Sequence, residues 1–336
     1  MSLQLRLRSR ASSIRLAAVL GMAMAFAIDA GAAVAASSSA APATLWSEAP
    51  AMLHARAAHA VVLTGDALFA LGGTGAGGRP VLEVERFDGR RWQAETVLPG
   101  RGLNAPAAAV VGRRIYLIGG FDMATNVPTD RVSVYDLDTH RWSEAAPLPA
   151  PRGGHAAAVL DGTIHVVGGG NSVSTIADPD AFDPAAGRWT RLAPLPRAEG
   201  SPAALAHGGK LCAIGGRSGP SDFGEVYLHD TSRDTWASGP PIEPRGTAGA
   251  AEWCGAILLF GGESQALGKS LASALRLDPL GARWQAVEPM PTARNFARAV
   301  RLGDSVYVVG GDPDAGNSHG AEGSAVVERR RDDCTG

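Results

Sequence analysis

The sequence predicts an all-β fold, a six-bladed propeller closed by the N-terminal strand. A Gly pair follows an apolar run every 46–49 residues, a Trp recurs at a similar period, and the chain has 43 Gly and 22 Pro among 336 residues. The Gly pairs begin at Gly72, Gly119, Gly168, Gly215, Gly261 and Gly310. The Trp residues in register are Trp46, Trp92, Trp142, Trp189, Trp236 and Trp284. A fixed period of this length is typical of repeat folds, and abundant Gly and Pro indicate many turns.

Each repeat is predicted to supply four short antiparallel strands. The first is small and apolar, as in residues 107–111, and the second ends at the Gly pair. The third ends at an Asp, and the fourth begins at the Trp that follows it. These Asp residues are Asp88, Asp136, Asp183, Asp230 and Asp278. Alternating apolar and polar residues between turns are typical of hairpins, and small inner strands suit the crowded axis of a propeller.

The two ends of the chain are predicted to complete one repeat together. Trp46 begins a fourth strand that no third strand precedes, whereas residues 325–328 look like a third strand that no Trp strand follows. Pairing these segments closes the ring and leaves no strand of the split blade unpartnered.

The repeat resembles the kelch repeat. The shared pattern is Arg-x-x-His in a loop, an apolar strand, an apolar-Tyr-x-x-Gly-Gly strand, then Tyr-Asp and Trp. The copies that begin at Arg56 and Arg152 keep the His, as His59 and His155. The resemblance covers residues 46 to about 330. It implies a propeller, and a fold of this kind says little about function.

The N-terminal segment has the pattern of a secretory signal peptide. Four Arg residues between positions 6 and 15 precede a 13-residue apolar run, and Ala33-Val34-Ala35 follows as a small-x-small cleavage site. The alternative is a membrane anchor, but the run is too short to span a bilayer. We therefore predict a signal peptide at 1–36 and a single propeller domain at 37–336. The mature chain is then periplasmic or secreted, with no membrane span.

The three cysteines fit an oxidising compartment. Cys212, Cys254 and Cys334 allow one disulfide with one thiol left over. Cys212 lies inside an apolar run, which indicates a small buried residue rather than a reactive one.

Composition and motifs exclude several classes of function. The formal net charge of −2 argues against a nucleic-acid binder. The sequence has no G-x-S-x-G, H-E-x-x-H or P-loop motif, and no Cys/His spacing typical of zinc sites. The four tyrosines lie in repeat-equivalent strand positions, which argues against a copper oxidase. We therefore expect neither a cofactor nor a metal site.

One face of the predicted propeller carries the candidate binding residues. The loops before each first strand and after each second strand emerge together on that face, and loops on a rigid scaffold commonly carry function. The candidate ligand-binding residues are Arg56, Arg101, Arg152, Arg197, Arg217, Arg245, Arg294, Asp122 and Asp312. Such guanidinium groups suit a small anionic ligand, for example a sugar acid. A structural role, in which each Arg ties loops together, and an envelope protein as partner are the alternatives.

A second resemblance suggests an enzyme. Residues 246–251, followed by Gly262-Glu263, resemble a stretch of the sialate mutarotases, also called N-acetylneuraminate epimerases. The resemblance implies that Glu263 is the general base, and Lys269 stands where that family has an Arg. Arg294-Asn-Phe296 resembles the Arg-x-aromatic step of the same family. The sequence leaves open whether the chain is a binding module, a sugar-acid mutarotase or an envelope adaptor.

Overall fold

The computed structural model describes residues 44–278, 283–316 and 322–331. Within these ranges, strands form six four-stranded antiparallel sheets, so the predicted all-β fold is confirmed. The described residues include no helix with the length and apolarity of a membrane span. The predicted signal peptide and Cys334 lie outside the described residues.

The sheets are numbered in chain order, and the strands of each sheet are numbered first to fourth from the axis outward. Sheet 1 comprises Ala60–Thr64, Ala67–Leu71, Glu83–Phe87 and Trp92–Val97. Sheet 2 comprises Ala107–Val111, Arg114–Ile118, Val132–Asp136 and Arg141–Glu144. Sheet 3 comprises Ala156–Leu160, Thr163–Val167, Asp180–Asp183 and Arg188–Arg191. Sheet 4 comprises Ala203–His207, Lys210–Ser218, Ser221–Asp230 and Thr235–Ser238. Sheet 5 comprises Gly249–Trp253, Ala256–Phe260, Ala274–Leu277 and Trp284–Val287. Sheet 6 comprises Arg298–Leu302, Ser305–Val309, Val327–Arg330 and Trp46–Ala49.

Shorter strands lie in the loops that follow the second strands, and one of them, Leu103–Asn104, lies in the loop that leads into the first strand of sheet 2. They are Thr74–Gly75 with Arg79–Pro80, Leu103–Asn104 with Phe121–Asp122 and Val127–Pro128, and Glu263–Ser264 with Lys269–Ser270. One 3-10 turn, Ala76–Gly78, lies between the first two of them.

The first strands form the inner wall of the molecule. Each contacts the first strand of the next sheet, and the first strand of sheet 6 contacts that of sheet 1. The strand-opening residues in sheets 1 to 4 are all Ala. Small side chains at these positions let six strands approach one axis.

The N-terminal strand completes sheet 6. Trp46 lies opposite Arg330, and Ala49 lies opposite Val327. The third strand of this sheet therefore begins two residues later than the sequence indicated. The Trp46 ring is 5% exposed and packs edge-on against Phe260 of sheet 5, with 5.6 Å between ring centroids.

The repeated Trp residues join neighbouring sheets. In most repeats the indole N–H donates a hydrogen bond to a carbonyl in the segment that follows the fourth strand of the preceding sheet. These bonds are Trp46 to Glu288, Trp92 to Pro50, Trp189 to Ala146, Trp236 to Ala193 and Trp284 to Pro240, at 2.8–3.3 Å. Because the same bond recurs in five of the six repeats, the period of the sequence is also the period of the packing.

Candidate functional site

Two sets of loops meet on one face, which we call the loop face. Antiparallel bridges join a residue of the loop that leads into a first strand to the residue that follows a Gly pair. They are Ala57 to Thr74, Gly153 to Gly170, Gly200 to Arg217, Gly246 to Glu263 and Asn295 to Asp312. The Gly pair permits this close contact, because Gly262 has φ +96° and a Cβ there would lie 2.7 Å from the carbonyl oxygen of Gly246.

Six repeat-equivalent residues encircle the axis on the loop face, and we call them the collar. The collar is Ala58, Ala105, Gly154, Ser201, Thr247 and Phe296, all with φ between 48° and 62°. The backbone N–H of each of the last five donates to the carbonyl of the member before it, at 2.6–3.1 Å. This left-handed conformation is unfavourable for non-Gly residues, especially for β-branched Thr247. Backbone strain of this kind clusters at functional sites.

The centre of the collar is filled by an aromatic ring. Phe296 of sheet 6 belongs to one apolar cluster with Ala58 and Ala105, from the collar positions of sheets 1 and 2. The guanidinium of Arg217, from sheet 4, lies 5.4 Å from the Phe296 ring centroid. The Phe296 side chain therefore contacts sheets 1 and 2 on one side of the axis and sheet 4 on the other, so it lies across the collar.

An ion pair lies directly against this aromatic ring. Arg217 Nη1 donates to Glu263 Oε2 at 3.2 Å, and the Gly316 N–H donates to Glu263 Oε1 at 3.1 Å. The Arg217 side chain is 20% exposed and that of Glu263 is 4% exposed. Burial raises the pKa of the Glu263 carboxyl, although Arg217 and the Gly316 N–H oppose the shift. Burial therefore outweighs the effect of the cationic neighbour on this carboxyl.

The comparisons with known proteins agree with the fold. The sequence model of the KLHDC2/KLHL20/DRC7 Kelch-repeats domain matches residues 43–202. Residues 43–202 therefore carry kelch repeats. A solved structure, titled "Structure of YjhT", superposes with a TM-score of 0.71 at 15% sequence identity and covers 82% of this chain and 95% of that one. At this identity the likeness shows the fold alone.

Curated kelch relatives match shorter segments. Human Kelch-like protein 34 is 38% identical over 148 residues, which is 42% of this chain and 22% of the human protein. Mouse Kelch-like protein 38 is 32% identical over 126 residues, 37% of this chain and 21% of that protein. Alpha-scruin of Limulus polyphemus is 34% identical over 129 residues, 37% of this chain and 14% of that protein. The chain thus spans less than a quarter of the length of these relatives.

Four of the kelch arginines proposed as ligand-binding are internal. Each donates to the carbonyl of the first Gly of the pair in its own sheet: Arg56 to Gly72, Arg152 to Gly168, Arg245 to Gly261 and Arg294 to Gly310. Three also pair with buried carboxylates: Arg56 with Glu85, Arg152 with Asp180 and Arg294 with Glu328. Arg245 donates instead to Ser273 Oγ at 2.7 Å. All four side chains are buried, so these residues tie loops together rather than face a ligand.

Arg101 and Arg197 do not occupy the register of these four. Each buried Arg lies 16 residues before the Gly that accepts its hydrogen bond, and that position holds Leu103 in sheet 2 and Glu199 in sheet 4. Arg101 is exposed. Arg197 is also exposed, pairs with Glu225 at 2.7 Å and lies over the Phe223 ring.

Glu199 is a buried acid that the sequence reasoning missed. It is fully buried, and neither carboxylate oxygen has a hydrogen-bond partner within the described residues. Burial, and next the nearby Glu225, raise the pKa of Glu199 to about 8, against the opposing effect of Arg197. Aligning the six loops on their Gly pairs would have found it, since one Glu then stands among four Arg and one Leu.

The remaining predicted site residues serve their own loops. Lys269 pairs with Ser264 in a hairpin where Glu263 pairs with Ser270, so Lys269 points away from Glu263, because successive side chains alternate between faces. The carboxylate of Asp122 accepts from the N–H groups of residues 124 and 125. Asp312 is 8% exposed and accepts from the N–H of residue 314. Of the predicted set, the structure brings only Arg217 to Glu263 among the described residues.

Proposed function

We propose that this chain is a six-bladed kelch propeller, closed by its N-terminal strand, that binds a partner protein through the loop face. Two observations support closure: the first strands contact one another around the axis, and the strand that begins at Trp46 completes sheet 6.

We also propose that residues 1–36 direct export to the periplasm or the exterior. A disulfide at Cys254 supports an oxidising compartment, whereas Cys212 is a free and buried thiol.

The arrangement at the collar carries the proposal for binding. Phe296 closes the axis, and the Arg217–Glu263 pair lies on it, so the centre of the loop face is filled rather than funnel-shaped. A filled, rigid centre with a partly exposed Arg over an aromatic ring suits contact with another protein surface. Arg and aromatic residues are the common hot spots of such interfaces.

The test compares two charge reversals on opposite faces. Arg217→Glu removes the ion pair on the loop face, and Arg113→Glu is the matched control, because Arg113 pairs with Asp138 in exposed turns at the other ends of the strands. Partners captured from an envelope extract by the wild-type protein are identified and titrated against all three proteins. We expect Arg217→Glu to weaken binding by about 30-fold, as for a hot spot of ~2 kcal/mol. Equal binding by Arg217→Glu and wild type would place the interface elsewhere.

The second candidate function is sugar-acid mutarotation with Glu263 as general base. Its support is the same pair: a carboxyl whose pKa is raised by burial is a stronger base than an ordinary Glu, and Arg217 is available to hold a substrate carboxylate. In this mechanism Glu263 removes the proton of the anomeric hydroxyl, the bond between the anomeric carbon and the ring oxygen breaks, and an acid protonates the ring oxygen. Ring closure reverses these steps.

Proton NMR of fresh N-acetylneuraminate decides between the two functions. If the mutarotase proposal holds, wild type accelerates anomer equilibration over buffer, Glu263→Gln does not, and Lys269→Ala behaves as wild type because Lys269 is exposed and faces away. No acceleration by wild type, across several sugar acids, ends the enzyme proposal. Acceleration that survives Glu263→Gln keeps the enzyme and discards this residue.

A further inference from the structure

The axial channel beneath the collar contains a single out-of-pattern residue. A cavity of about 110 Å³ is lined by the first strands of all six sheets, and most of its lining is Ala. The residue two places after each collar member opens the inner strand. These six residues are Ala60, Ala107, Ala156, Ala203, Gly249 and Arg298. Five small residues and one Arg therefore occupy equivalent positions around the axis.

Arg298 directs its charge into this cavity with little compensation. Its Nε donates to the carbonyl of His59 at 2.8 Å, and the side chain lines the cavity. Among the described residues, no carboxylate lies within ion-pairing distance of its guanidinium. Burial alone lowers the pKa of Arg298 to about 10, so the group keeps its charge at neutral pH.

The neighbouring histidines are neutral and do not compensate the charge of Arg298. His59 and His155 are buried, and burial lowers the pKa of His59 well below its ordinary value and that of His155 to about 3, so both are neutral. Arg298 contributes to both shifts, as do Arg56 and Arg294 at His59 and Arg152 at His155. The Arg298 side chain is half-buried, and the described residues supply no counter-charge to it. A charge that is partly withdrawn from water is unfavourable unless it is paired.

We propose that the axial cavity binds a small anion, held by the free guanidinium nitrogens of Arg298. A planar guanidinium presents parallel N–H donors that match the oxygens of carboxylate or phosphate. The cavity is well below the 300–1,000 Å³ typical of pockets for drug-sized ligands, so the anion has few heavy atoms: chloride, acetate or phosphate rather than a sugar acid. This site lies below the collar and does not depend on the partner proposed for the loop face.

Thermal unfolding at constant ionic strength tests the site. Sodium gluconate, whose anion is too large for the cavity, is replaced stepwise by sodium chloride, acetate or phosphate. An anion that binds only the folded state raises the melting temperature with its concentration. We expect at least one small anion to do so for wild type, and direct calorimetric titration to give the same dissociation constant.

Three variants assign the effect to Arg298. Arg298→Gln should lose the dependence on the small anion, with affinity at least about tenfold weaker, a difference of ~1.4 kcal/mol. Arg298→Lys keeps the charge and should retain part of the dependence. Arg301→Gln is the matched control, because Arg301 is exposed on the same strand and lies over Trp253, and it should behave as wild type. Because the readout is the dependence on anion, it is separate from any loss of stability when the hydrogen bond to His59 is removed.

Two outcomes would overturn the proposal. One is a wild-type protein whose melting temperature is the same in gluconate and in every small anion, which is decisive even if no variant folds. The other is an undiminished anion dependence in Arg298→Gln, which would place the anion at another site.

Discussion

Arg294→Ala will destabilise the protein by about 3–5 kcal/mol, the cost typical of removing one partner from a buried ion pair. Arg294 Nη2 donates to Glu328 Oε2 at 2.6 Å, and both side chains are almost fully buried. Its Nη1 also donates to the carbonyls of Gly310 and Val326, which lie in the segment joining the second and third strands of sheet 6. The variant leaves a buried carboxylate and two carbonyls without their donors, and chemical denaturation measures the loss.

Two further variants separate this role from ligand binding. Arg101→Ala removes an exposed Arg and should change the free energy of unfolding by less than about 0.5 kcal/mol. The double variant Arg294→Met with Glu328→Met should cost less than Arg294→Ala, because it leaves no unpaired charge. If Arg294→Ala unfolds with the wild-type free energy, the buried pair is not a structural tie.

Glu199→Gln will make the protein more stable than wild type at alkaline pH, by up to about 5 kcal/mol, and equally stable at pH 4. Burial raises the pKa of Glu199 from 4.5 to about 8 in the folded state. Below pH 4.5 the carboxyl is protonated in both states and makes no pH-dependent contribution to stability. Between pH 4.5 and 8 the unfolded chain releases the proton while the folded chain retains it, so wild-type stability falls as the pH rises. Each pKa unit corresponds to about 1.4 kcal/mol.

The measurement is the free energy of unfolding against pH for wild type, Glu199→Gln and a control. Glu48→Gln changes an exposed acid of the N-terminal strand and should run parallel to wild type. Curves for Glu199→Gln and wild type that stay parallel from about pH 4 to 9 would mean that Glu199 titrates normally in the folded state.

The sequence was sufficient to predict the repeated fold, because the residues that recur are also those that make the contacts between strands and sheets. Each Gly pair permits a close backbone contact, and most of the Trp residues join two sheets, so a period in the sequence implies a period in space. The pairing of Trp46 with the last third strand followed from the same count, although that strand begins at Val327 rather than residue 325.

The candidate site was harder to predict, because its residues do not recur at equivalent positions in the other repeats. Arg101 and Arg197 were grouped with Arg56 by loop membership, although only alignment on the Gly pairs shows that Leu103 and Glu199 hold the equivalent positions. Lys269 is six residues from Glu263, yet the alternation of a hairpin turns it away. Arg217 is 46 residues away, close to one repeat, and the neighbouring sheet brings it within 3.2 Å.

The strand that begins at Trp46 imposes an order on folding. A chain emerging N-terminus first can pair the strands of sheets 1 to 5 as each hairpin appears, since all of them are contiguous in sequence. Trp46–Ala49 must wait for Val327–Arg330, so its backbone and the Trp46 indole stay uncovered until those residues have emerged. An unpaired edge strand beside an exposed aromatic ring is a hazard for aggregation. A chaperone that protects this protein during synthesis or translocation would therefore act on its first described strand.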